Sequence, residues 1–161
     1  MLPKFPSTTN PRSQRSESLL LICFYDPMGI STVPETVGFI QQYSQFSITV
    51  LNLFEHRNKG WTWNLAPLIN LRKFDGVVIH NSISYNVDNL HALDKQLSCK
   101  MRDFGGVKVL MKQDENFQFK ALAEYIGKNQ FDLIFTCLPP EAVPLIYPPS
   151  LVGTPIFSRM L

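Results

Sequence analysis

Polar side chains that could act as acids, bases or hydrogen-bonding groups follow three of the apolar runs in this chain. The runs are Leu19–Tyr25, Phe74–Ile79 and Val107–Lys112. An imidazole or a carboxylate can take a proton from a hydroxyl near neutral pH, and neighbouring amides and hydroxyls can orient a substrate. The candidate site residues are Asp26, Ser31, His80, Asn81, Ser82, Gln113, Asp114 and Glu115.

His80 comes directly after an apolar run and is followed by Asn81 and Ser82. In this position its imidazole could serve as the general base for an acceptor hydroxyl. The alternative is a partly buried histidine that hydrogen-bonds to the backbone, and both interpretations stay open. His56 and His91 have no comparable position and are predicted to lie on the surface.

The carboxylates of Asp114 and Glu115 also follow an apolar run directly. One or both could project into a cleft and act as a base or bind sugar hydroxyls. Alternatively, an acidic or amide side chain here caps the helix predicted to begin near Phe119, and Glu115 serves as a cap or faces solvent.

The segment from Asp26 to Ser31 leads into another predicted helix, whose N-terminal NH groups could hold an anion. A tight turn followed by a helix cap explains the same residues. Trp61, Trp63 and Tyr85 could stack on a sugar or a lipid, although packing is the commoner use of aromatic side chains.

The elements that position these residues alternate along the chain. Short apolar or β-branched runs predict five strands, and apolar residues at helical spacing predict helices that begin near Pro34, Asn86 and Phe119. The helix near Asn86 is predicted to continue until Gly105-Gly106. The predicted strands are Leu19–Tyr25, Phe46–Leu53, Phe74–His80, Val107–Lys112 and Phe131–Thr136.

This alternation predicts an α/β fold: a three-layer Rossmann-like domain over residues 19–150, with a mainly parallel sheet of five or more strands. Ligands in such sheets lie outside the carboxyl ends of the strands, where all the candidate residues stand. Residues 1–18 are predicted to be a disordered leader. Six prolines fall between Pro139 and Pro155, so that tail is predicted to be neither ordinary helix nor central strand.

Composition excludes several classes of protein. The chain has 161 residues, 45% of them hydrophobic, and a net charge of +2 that is contributed by the first 18 residues. The remainder is neutral and has no basic excess, which argues against a nucleic-acid partner. Three widely separated cysteines give neither a disulfide framework nor a zinc motif, which favours a cytoplasmic location.

Missing motifs narrow the chemistry. The chain has no GxGxxG after its first strand, no P-loop motif, no GxSxG and no HExxH. No cluster of metal ligands is visible, so neither a metal nor a cofactor is predicted. Its apolar runs are also much shorter than the roughly 20 residues that span a bilayer.

Four segments together resemble the amino-terminal half of GT-B glycosyltransferases, in particular bacterial enzymes of surface-polysaccharide assembly. The segments are Tyr25-Asp26-Pro27, Phe74-Asp-Gly-Val-Val-Ile-His80-Asn-Ser, Phe104-Gly-Gly-Val-Lys108 and Gln113-Asp114-Glu115, and a threonine closes the run Phe131–Thr136. The resemblance covers residues 19–150. Asn116 departs from it, because an aromatic residue is expected there.

The resemblance implies an enzyme that moves a sugar from a nucleotide-sugar donor to a glycan or lipid-linked acceptor. His80 or Asp114 would deprotonate the acceptor hydroxyl, and Gln113, Glu115 and Asn81 would orient it. The loop from Asp26 to Ser31 would face the donor phosphates.

In such enzymes a second domain holds the nucleotide. Residues 151–161 would begin the linker to it, and this chain would be a truncated or split enzyme that is inactive without a carboxyl-terminal domain or partner chain. Its place would be the cytoplasm or the inner face of the membrane, where a lipid-linked acceptor allows peripheral contact. The alternative is a complete, non-catalytic Rossmann-like binding or scaffold module.

Overall fold

The computed structural model describes residues 17–29, 31–56, 69–97, 100–115, 117–149 and 156–158. The predicted leader up to residue 16, the two tryptophans and Asn116 lie outside these ranges. The described elements alternate as expected for an α/β chain. The strands are β1 (Ser18–Cys23), β2 (Ser47–Asn52), β3 (Gly76–Ile79), β4 (Val107–Lys112), β5 (Leu133–Thr136) and β6 (Ile156–Ser158), and the helices are α1 (Val33–Tyr43), α2 (Asn81–Ser84), α3 (Val87–Gln96), α4 (Phe119–Asn129) and α5 (Val143–Ile146).

The six strands form one parallel sheet in the order β2-β1-β3-β4-β5-β6. The predicted α/β Rossmann-like fold is therefore confirmed. The chain runs outward from β1 to β2, then crosses back to β3 and continues in the opposite direction. The strand order thus reverses between β1 and β3, and in open α/β sheets this switch point opens a crevice at the carboxyl ends of the strands.

The two faces of the sheet are covered differently by the described elements. The larger core packs α2, α3, α4 and Tyr147 against one face. The smaller core sets Val37 of α1 against Leu21 and Cys23 on the other face. Strand alternation sends neighbouring residues of β1 into the two cores, which is why its run is continuously apolar.

The helix predicted from Asn86 to Gly105 ends early, so that part of the prediction was wrong. Helix α3 stops at Gln96, Leu97 is extended, and a 3₁₀ turn spans Met101–Asp103. Leu97 and Met101 are nonetheless buried in the larger core. The apolar spacing of these two residues correctly predicted that they are buried. The segment that carries them is an extended residue followed by a 3₁₀ turn, not a continued helix.

The proline-rich tail contains two short elements. Helix α5 is a single turn with a proline in its first turn, where the missing NH is tolerated. Ile156–Ser158 form β6 at the edge of the sheet, within the segment predicted to begin a linker. The domain therefore extends past residue 150 by at least this strand.

Candidate functional site

The candidate residues lie at the carboxyl edge of the sheet, defined here as the edge at which the strands end, and two of them, Asn81 and Gln113, are in direct contact. His80 follows β3, Gln113 follows β4, and these strands are neighbours. The Asn81 side-chain amide donates a hydrogen bond of 2.7 Å to Gln113 Oε1. Two groups that lie 32 residues apart in the sequence are thus joined directly.

His80 occupies the turn between β3 and α2 and is 1% exposed. Its backbone NH continues the ladder by donating to the Ile22 carbonyl at 2.9 Å. Its Nδ1 accepts a hydrogen bond of 3.1 Å from the Ser82 backbone NH and so caps α2. This is the alternative that the sequence left open, a buried histidine bonded to the backbone.

The electrostatics of His80 follow from that burial. Because Nδ1 accepts from a backbone NH, the neutral ring carries its proton on Nε2. Nε2 is buried without a hydrogen-bond partner among the described residues. Burial lowers the pKa of His80 to about 4. The ring is therefore neutral at physiological pH, and its basic nitrogen is already engaged.

Ser82 links the two strands that flank the switch point. Its hydroxyl oxygen accepts a hydrogen bond of 2.9 Å from the Phe24 backbone NH just after β1, and it lies 3.0 Å from His80 Nδ1. On the other side of β1, Asn52 is 5% exposed and bonds to both the NH and the carbonyl of Tyr25. These contacts fix the backbone that enters the loop at Asp26.

Asp26 and Ser31 are exposed in that loop. Asp26 Oδ1 accepts from the Met28 NH at 2.9 Å, and Ser31 Oγ accepts from the Val33 NH at 3.1 Å, where α1 begins. Among the described residues their side-chain bonds stay local and do not reach the His80 or Gln113 groups. The tight-turn alternative thus accounts for these bonds.

Asp114 is exposed and has a positive φ of 58°. Few residues other than glycine adopt this left-handed conformation, although Asp and Asn do so more readily than most. Helix α4 instead has Gln118 at its N-cap, without a side-chain capping bond. The helix-capping interpretation of Asp114 and Glu115 was therefore wrong. Asp114 presents an accessible carboxylate next to the Asn81–Gln113 pair.

Glu115 is only 4% exposed, so the solvent-facing alternative for it was also wrong. Its carboxylate accepts a hydrogen bond from the Thr136 hydroxyl at the end of β5. Burial first, and then the nearby charge of Glu115, raise the pKa of Tyr147. Glu115 therefore ties the segment after β4 to the end of β5.

Sequence reasoning missed Lys112, the last residue of β4, which is 2% exposed. Its Nζ lies 5.1 Å from the centroid of the Tyr85 ring and 3.5 Å from the Tyr85 carbonyl oxygen. Burial lowers the pKa of Lys112, while the carboxylates of Glu115 and Asp114 oppose that shift. The alternation of strand residues could have indicated this burial, because Lys112 lies two residues after the buried Leu110 and therefore on the same face of β4.

Two cavities lie away from this edge. One of about 390 Å³ lies at the amino ends of β3 and β4, between Arg72, Asp75 and Gly106. Another of about 560 Å³ lies on the surface around α3 and α4 and contains His91, Lys95 and Lys128. Neither of these two cavities is lined by His80, Asn81, Gln113 or Asp114.

Within the described ranges, no three His, Cys, Asp or Glu residues are grouped closely enough to hold a metal ion. No helix in the same ranges is long and apolar enough to cross a membrane. No protein-family model, curated protein or solved structure matches the chain.

Proposed function

We propose that this domain is the acceptor-binding half of a glycosyltransferase, which moves a sugar from a nucleotide-sugar donor to a glycan or lipid-linked acceptor. The observation that supports it best is the meeting of Asn81, Gln113 and Asp114 at the carboxyl edge. Two amides held 2.7 Å apart and one accessible carboxylate offer both donors and acceptors, as recognition of a polyhydroxylated ring requires.

Asp114 is the base in this proposal. Its carboxylate takes the proton of the acceptor hydroxyl while that oxygen attacks the anomeric carbon, and the nucleoside diphosphate leaves with the electrons of the broken bond. His80 was the other candidate base. Its burial and its bond from Ser82 favour a different part for it, which is to hold the turn that carries Asn81.

The donor side of the reaction needs a further binding element. In the proposal a second domain or partner chain holds the nucleotide across the cleft, and the exposed side chains of Asp26 and Ser31 face it. This domain by itself binds ligands but does not transfer the sugar.

Amide chemical-shift titration of the isotope-labelled protein tests the proposal. The probes are a panel of methyl glycosides and UDP-glucose. We expect the largest shifts at residues 81–84 and 112–115. Shifts confined to the cavity at the amino ends near Asp75 and Gly106, or no shifts with any probe, would contradict the proposal.

Two variants sharpen this titration. Asp114→Asn and Gln113→Ala should weaken glycoside binding while the protein stays folded. Asp103→Asn is the matched control, because Asp103 is also an exposed carboxylate but lies at the amino edge, paired only with neighbouring Arg102 among the described residues. Equal weakening by the control would point to a general charge effect.

The alternative function is a non-catalytic binding or scaffold module. Exposed apolar side chains away from the carboxyl edge favour it: Phe39 and Tyr43 on α1 are 60% and 69% exposed, and Val107 is 52% exposed. This alternative predicts that no glycoside or nucleotide sugar shifts the amides of residues 112–115.

A further inference from the structure

An exposed aromatic pair stands beside the polar groups of the carboxyl edge. The rings of Tyr85 and Phe117 are stacked, with centroids 6.0 Å apart and planes inclined by 20°. Their residues remain 51% and 46% exposed. Large aromatic side chains usually gain stability by burial, so two half-exposed rings at one place present an apolar surface to solvent.

The backbone fixes this pair relative to the candidate site. The Tyr85 NH donates to the Asn81 carbonyl at 2.9 Å, so Tyr85 lies one turn from the amide that bonds to Gln113. Phe117 follows Asp114 by three residues. The next residue, Gln118, is anchored because its Oε1 accepts from the Val87 NH at 3.0 Å.

Lys112 orients the pair from below the surface. Its ammonium lies 5.1 Å from the Tyr85 centroid, within range of a cation–π interaction. The buried lysine thus supports the Tyr85 ring, and Phe117 stacks on the same ring. The platform is therefore built by the elements that also hold the polar groups.

We propose that Tyr85 and Phe117 form a stacking platform for a pyranose ring of the acceptor. This inference rests on the proposed function, and it assigns the sugar ring of the acceptor to the two aromatic side chains. One face of a pyranose presents C–H groups, which suit the electron-rich face of an aromatic ring. The hydroxyls at its rim would then reach Asn81, Gln113 and Asp114.

The chain offers a matched control on α1. Phe39 and Tyr43 are also an exposed, stacked phenylalanine–tyrosine pair, with centroids 5.9 Å apart and planes inclined by 22°. No candidate site residue belongs to α1. Removing a ring from either pair is therefore the same chemical change at two different places.

The test measures dissociation constants by chemical-shift titration, and contact to the sugar C–H protons by saturation-transfer difference. The probes are methyl glycosides of glucose, galactose and N-acetylglucosamine. Tyr85→Ala and Phe117→Ala should each raise the dissociation constant of a bound glycoside by about three- to tenfold, the range expected for loss of one aromatic contact. Tyr43→Ala and Phe39→Ala should leave it unchanged.

Phe117→Leu keeps an apolar side chain without an aromatic face, and it provides a readout if Tyr85→Ala does not fold. We expect it to raise the dissociation constant of the bound glycoside, because leucine offers the sugar C–H groups no aromatic face. Unchanged binding in the Tyr85 and Phe117 variants, alongside loss in Asp114→Asn, would overturn the platform and leave the proposed function standing. Failure of the unmodified protein to bind any glycoside would overturn both.

Discussion

Replacing His80 by asparagine should change how stability depends on pH. Asparagine is a favoured N-cap residue, and its side-chain oxygen can accept the Ser82 NH that His80 Nδ1 accepts at 3.1 Å. The variant therefore keeps the cap but has no titrating group. Any change that the smaller side chain makes in the free energy of unfolding is the same at every pH. This constant difference cancels when the pH dependence of the variant is compared with that of the unmodified protein.

The magnitude follows from the pKa of His80, which burial lowers from 6.5 to about 4. Well above about pH 6.5 the ring is neutral in both states and contributes no pH dependence. As the pH falls below that value, the unfolded chain binds a proton that the folded protein excludes, so stability decreases. The loss relative to about pH 7.5 should reach about 1.4 kcal/mol at about pH 5.5 and about 2.5 kcal/mol at about pH 4.5.

Urea denaturation of both proteins across this pH range provides the measurement, with the free energy of unfolding taken by linear extrapolation. Contributions from other carboxyl and histidine groups are shared and cancel in the difference between the two proteins. The free energy of unfolding of the unmodified protein should fall more steeply with acid than that of His80→Asn. Parallel curves would refute the reasoning and indicate that Nε2 of His80 is solvated.

Three further predictions concern stability or reactivity. Gly106→Ala should destabilise the protein by about 1–3 kcal/mol, because the new methyl would collide with a backbone carbonyl and lie 2.5 Å from the Phe104 ring. Gly38 lies on α1 with open space around it, so Gly38→Ala should stabilise the protein by about 0.5–1 kcal/mol. Urea titration measures both free energies of unfolding. Thr136→Val leaves a buried carboxylate without its hydroxyl donor and should cost about 1–3 kcal/mol in the same assay, whereas Thr136→Ser should cost less. In the native protein iodoacetamide should label exposed Cys137 but not Cys23, whose pKa is raised to about 12 by burial and then by a nearby carboxylate; equal labelling by peptide mass mapping would contradict this.

The positions of the strands were largely predictable from the sequence, because a short continuous run of apolar residues is typical of a buried strand. The bounds of β4, Val107–Lys112, were predicted to the residue, and β2 was predicted within one residue at each end. The end of α3 was not predictable in this way. Leu97 and Met101 keep helical spacing because both reach the core, but hydrophobic spacing does not specify the backbone that brings them there.

The candidate site was predictable only in part. Position after an apolar run correctly placed His80, Asn81 and Gln113 at one edge, since parallel strands end together. It did not distinguish the exposed carboxylate of Asp114 from the buried one of Glu115. Adjacent residues of a turn can point in opposite directions: Asp114 has a positive φ and is exposed, whereas Glu115 is buried and accepts the Thr136 hydroxyl of β5.

The amino-acid sequence by itself determined the α/β class, the alternation of elements and the polar residues that follow the strands, because these depend on local apolar periodicity and turn chemistry. Tertiary structure alone decided the strand order, the reversal between β1 and β3 and the partners of Lys112 and Glu115. These depend on contacts between residues far apart in the chain. Such contacts form only when the sheet assembles, and they set the burial that gives His80 its low pKa.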